Sequence, residues 1–156
     1  MIRTAAPHFR NRGLMSDKIK DLLRWNLGAE GASKVSFSEV GLEASRAAGF
    51  AAFALALERR FGEDPTTETI QQFVARTRTS WVKPDALNPV LAEQVILAAY
   101  TDDDDLLDGV PAAELARVQL LLTYGVVRDM NITGDAFEAF LDEIVQLMNE
   151  SGDEDD

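Results

Sequence analysis

The stretch Ala47-Ala48-Gly49-Phe50-Ala51-Ala52-Phe53-Ala54-Leu55-Ala56-Leu57 is apolar throughout. A helix written this way has no polar face to give to water, so it belongs at the centre of its fold. A membrane span would need about 20 such residues, and this run has eleven. The flanking residues supply a start and a stop. Ser36-Phe37-Ser38-Glu39 has the spacing of a capping box, with Val35 and Val40 placed as a hydrophobic staple. Gly62 fits the position just past a helix end. The pattern predicts one long helix ending at about Phe61, whose alanines let its neighbours approach closely.

Other helix signals surround it. Ser16 caps a helix over Asp17–Leu27, and Gly28 stops it. Asp64-Pro65 and Asn88-Pro89 each read as a cap with proline at the first helical position. Those helices should run to Ser80 and Tyr100. Pro111 opens a fifth helix, to about Met130. Gly125 inside it costs about 1 kcal/mol relative to alanine, which points to a close helix contact there. Thr133 opens a sixth, with Phe137, Phe140, Leu141, Ile144, Val145 and Met148 on its apolar face. Strand alternation is nearly absent. The expected fold class is therefore all-α: a single compact bundle of five to six helices around a buried Ala-rich second helix, over residues 16–150. A chain of 156 residues suits one domain with its own core. Residues 1–15 read as a flexible N-terminal extension, with Met15 resembling a second start, and 151–156 as a disordered acidic tail.

Composition excludes several chemistries. The chain has no cysteine and one histidine, His8. Disulfides, thiolate nucleophiles and Cys-ligated metals are ruled out, and a His-pair metal site cannot form within one chain. The run Asp102–Asp105 invites a hard cation, but placing Gly109 at the loop glycine of an EF-hand puts Leu106 where a ligand is needed. In Asp129–Asp135 the spacing fits better, yet Phe140 falls where the bidentate glutamate belongs. Neither Walker, GxGxxG nor GxSxG spacing occurs. The reading is of a protein with no cofactor, no metal and no catalytic residues: a non-enzyme.

Charge is the remaining signal. The net charge is −12, but it is unevenly placed. Residues 1–83 hold 13 Lys+Arg against 9 Asp+Glu, net +4, and residues 84–156 hold 2 against 18, net −16. Acidic surfaces steer basic partners and repel nucleic acid. The expected function is a non-catalytic acidic protein-interaction module: a regulator, adaptor or inhibitor of another protein with a basic surface. Candidate contacts are Asp102, Asp103, Asp104, Asp105 and Asp108, with a partly exposed Trp81 as an interface anchor. The alternative is a nucleic-acid-associated protein using a basic face of Arg59, Arg60, Arg76, Arg78 and Lys83 around that tryptophan. Overall acidity makes this the weaker of the two. A homodimer burying spare apolar surface is a third expectation. No apolar run resembles a secretory signal, so a cytoplasmic, non-membrane protein is expected. Eleven arginines to four lysines suggests a GC-rich bacterial source.

Overall fold

The computed structural model describes residues 15–101 and 103–154. Among these described residues seven α-helices follow in chain order: α1 (residues 15–26), α2 (Phe37–Val40), α3 (Leu42–Phe61), α4 (Thr67–Ser80), α5 (Pro89–Tyr100), α6 (Ala112–Asp129) and α7 (Gly134–Glu154). Short 3-10 turns occupy Pro84–Ala86 and Asp104–Leu107. No strand occurs among the described residues. The protein is an all-α bundle built around α3. That helix packs on α6 and α7, while α4 and α5 close against each other and against α6.

Local chemistry explains most boundaries. Ser36 accepts a hydrogen bond from the backbone N–H of Glu39, as its capping position demands. Asn88 does the same for Leu91, with Pro89 at the first helical position. Two starts differ from expectation. The predicted long second helix is broken after Val40: Gly41 takes φ 102° and ψ 140°, open to glycine but strained for other residues. The fold thus has an extra short helix. The third long helix starts at Thr67, because Thr66 rather than Asp64 provides the cap, accepting from the N–H of Thr69.

Both ends of the predicted domain also move. Met15 and Ser16 are already helical. The last helix continues through Glu154, beyond the expected end at residue 150. Once a helix is nucleated, each further residue adds one hydrogen bond for the residue it fixes, and Ser151-Gly152 does not stop it. Residues 1–14, 155 and 156 of the expected extension and tail lie outside the described residues.

The core is aliphatic and small-residue-rich on α3. Ala48, Ala51, Ala52 and Ala56 are buried there with Phe53 and Leu57. They meet Val118, Leu122 and Val126 of α6 and Phe140, Leu141 and Ile144 of α7 in one cluster. On α1, Ile19, Leu22, Leu23 and Leu27 join it, as their helical spacing predicts. Gly125 answers the sequence question about its role. A Cβ at that position would lie 2.7 Å from Thr77 Oγ1 and 2.8 Å from its Cγ2. α4 and α6 approach there closer than any side chain allows.

Charge is paired across the same core. Lys20 and Arg24 of α1 reach Asp142 and Glu138 of α7, at 2.5 and 2.6 Å. Arg59 of α3 reaches Glu143 at 2.6 Å. Arg60 and Arg76 share one carboxylate, Asp129 at the end of α6, at 3.1 and 2.5 Å. Cations of the basic half therefore meet acids of the acidic half.

Two outcomes test this packing. Gly125→Ala should lower stability in urea unfolding by about 1–3 kcal/mol through overpacking, and adding Thr77→Ala should recover part of the loss. The hydrogen bond from Arg24 holds the Glu138 carboxyl below its ordinary value of 4.5. A depressed folded-state pKa stabilises above the unfolded value and stops doing so as pH falls through the folded one. Glu138→Gln should cost at most about 1 kcal/mol near neutral pH, since the pair is largely exposed. That deficit should fade once the pH drops below the carboxylate's ordinary range.

Candidate apolar groove

The Ala-rich helix α3 is not covered on every side. Its residues Leu42, Arg46, Gly49, Phe50, Phe53 and Leu57 recur at three- and four-residue spacing, so they form one face. That face lines a groove of about 1020 Å³. Leu42 is 61% exposed and Phe50 63%, and Phe37 of α2 adds a third large apolar side chain at 51%. The opposite wall is the end of α5, Leu107 and the first two turns of α6. Alanines 98, 99, 112, 113 and 116 line that side. Most of the groove's surface is carbon.

Hydrogen bonds hold its edges. The break at Gly41 sets α2 across the start of α3, where the Ser45 hydroxyl donates to the Phe37 carbonyl at 3.3 Å. Tyr100 closes the far end: its hydroxyl lies 3.1 Å from the Leu57 carbonyl and 3.0 Å from that of Gly62. Leu57 lies near the end of α3 and Gly62 caps that helix, so the hydroxyl ties the end of α3 to the end of α5. Burial raises the Tyr100 phenol above its ordinary value of 10.0, and the nearby charge of Glu58 adds to the rise. Arg117 is tied down by Glu114, with its Nε and Nη2 at 3.2 and 2.7 Å from the two carboxylate oxygens, and by the Ala86 carbonyl at 2.5 Å. That guanidinium holds the Glu114 carboxyl below its usual range.

The sequence-derived acidic candidates lie beside the groove in part. Leu107 lines the wall, and its chain neighbours Asp105 and Asp108 are exposed. Asp103 has a structural task, accepting from the Asp105 N–H to start the 3-10 turn. Asp102 and the side chain of Asp104 lie outside the described residues. Trp81 is half-buried and covered by the Arg128 guanidinium, 5.5 Å from the ring centroid. Its indole N–H finds no partner among the described residues.

The basic candidates are largely occupied. Arg59 lies over the Phe140 ring at 4.9 Å while it pairs with Glu143. Arg60 and Arg76 are held by Asp129, and Arg78 donates to the carbonyls of Leu87 and Pro84. Lys83 is exposed.

Chemically, the groove offers mostly apolar contact area. Its titratable lining side chains are Arg46, Glu58, Tyr100 and Arg117, and the last two are committed as described. Among the described residues no three His, Cys, Asp or Glu side chains gather to hold a metal ion. No helix among them is long and apolar enough to cross a membrane. Comparison with known proteins finds no matching family model, no similar curated protein and no similar solved structure.

The groove was absent from the sequence reading. Its trace in the sequence was an apolar surplus without a phase: Phe37, Leu42 and Phe50, in and before the apolar run, exceed what one buried stripe needs. Buried and open faces should respond differently to substitution. Phe53→Ala should cost about 3–5 kcal/mol in chemical unfolding, whereas Phe50→Ser should stay within about 0.5 kcal/mol of the parent.

Proposed function

We propose that this protein is a non-catalytic interaction module, an adaptor, regulator or inhibitor, that receives another protein in the α3–α6 groove. The observation that carries this reading is the contiguous apolar surface around Phe37, Leu42 and Phe50, edged by polar side chains. Exposed patches of that kind mark interaction sites in monomeric proteins. The lining supports binding over catalysis, because it is mostly carbon and its Tyr100 and Arg117 side chains are engaged with backbone carbonyls. The cysteine-free chain suits a reducing cytoplasm.

The nucleic-acid alternative has less behind it. Arg59, Arg60, Arg76 and Arg78 already have internal partners, and releasing phosphate-bound counterions requires cations free to replace them.

Peptide display tests the docking role. Segments of roughly 16 residues, long enough to span the groove as a helix, are selected from the host proteome on the parent and on Ala116→Trp, which plugs the groove from an exposed position. Binders with about micromolar Kd that lose at least tenfold on the plugged variant are expected. A selection yielding only binders indifferent to Ala116→Trp would count against the proposal. So would native mass spectra of the purified protein showing a lipid seated in the groove.

A further inference from the structure

We infer that the groove's occupant is a single amphipathic α-helix with a basic polar face, an inference that rests on the docking role proposed above. Three observations carry it. The first is shape. From Leu42 to Glu58 the α3 wall runs about 24 Å at 1.5 Å per residue, enough for more than four turns of a second helix. The alanines of α5 and α6 on the facing wall leave room for large side chains from that helix to sit between Phe50 and Leu107.

The second is backbone chemistry. An extended peptide lying in the groove would press its N–H and C=O groups against alkyl side chains. Those groups cost free energy when buried unpaired, and the described residues offer no sheet edge to satisfy them. A helix brings its own hydrogen bonds, which is the logic of helix-in-groove recognition.

The third is charge. Glu39, Glu43, Glu58, Asp105 and Asp108 are exposed around the groove or beside its lining residues. Against them stand Arg117, already neutralised by Glu114, and Arg46. The rim is net acidic and favours lysine and arginine on the occupant's outer face. A second copy of the chain fits poorly, since it would set one net charge of −12 against another.

Fluorescence anisotropy with the full chain separates these claims. Three labelled peptides of roughly 16 residues are compared. One carries leucine and alanine on one helical face and lysine on the other, one has glutamate for every lysine, and one has the lysine composition shuffled so that no apolar face forms. At about 50 mM salt the lysine helix should bind about tenfold tighter than the glutamate helix, and at about 0.5 M salt the advantage should largely vanish. Glu58→Gln/Asp105→Asn/Asp108→Asn should remove most of the advantage, and Ala116→Trp should weaken both helices. Equal affinity for lysine and glutamate helices would overturn the charge assignment and leave the docking role standing. A shuffled peptide binding as tightly as the lysine helix would overturn the helical assignment. Failure of both amphipathic peptides to bind at hundreds of micromolar, roughly the weak end of specific recognition, would overturn the docking role and this inference with it.

Discussion

The alanine face of α3 sets how closely α6 and α7 can approach. With Ala48, Ala51, Ala52 and Ala56 buried at its centre, α6 and α7 can lie against one helix without long side chains holding them apart. The same economy recurs where α4 meets α6, with Gly125 receiving Thr77. Close approach carries a geometric consequence. Small residues bring backbones together on the packed side, while Phe53 and Leu57 fill the core beside them and Leu42 and Phe50 project elsewhere. Phe50 and Leu42 project into the gap between α3 and the start of α6, and no helix of the described chain fills that gap. The groove is thus the complement of the tight core.

Electrostatics follow the same division. Five cations of the basic half, Lys20, Arg24, Arg59, Arg60 and Arg76, are spent inside the fold, on Asp142, Glu138, Glu143 and Asp129. Individually such exposed pairs contribute little. Together they leave the unpaired acidity concentrated elsewhere, including the turn beside Leu107. The strong imbalance between the halves is therefore partly internal complementarity and partly exposed charge, and Asp105 and Asp108 carry some of that charge beside the groove wall.

Much of the fold was legible in the sequence because caps are local chemistry. Ser36, Asn88 and the apolar stripes of α1 and α7 act within one or two turns, so their meaning survives without knowledge of neighbours. Thr66 displaced Asp64 as a cap because adjacent residues can compete for that role, and only the path of the chain decides. Gly41 broke the predicted second helix because a capping box at Ser36 says where a helix starts, not how far it runs. The groove was illegible for a different reason. A helix apolar all round has no phase, so the pattern cannot say which face lacks a neighbour. That depends on α5 and α6, which supply lining residues between Val95 and Leu120, far along the chain.

The shared carboxylate of Asp129 has a consequence for inheritance. It joins the end of α3 through Arg60, the middle of α4 through Arg76 and the end of α6 through itself. Removing the acid leaves two guanidiniums facing each other around a vacated site, while removing either arginine leaves the other still paired. Positions 60, 76 and 129 therefore form a unit in which the arginines can drift one at a time but the aspartate cannot. Among descendants of this sequence, loss of the acid should follow loss of an arginine, and not precede it.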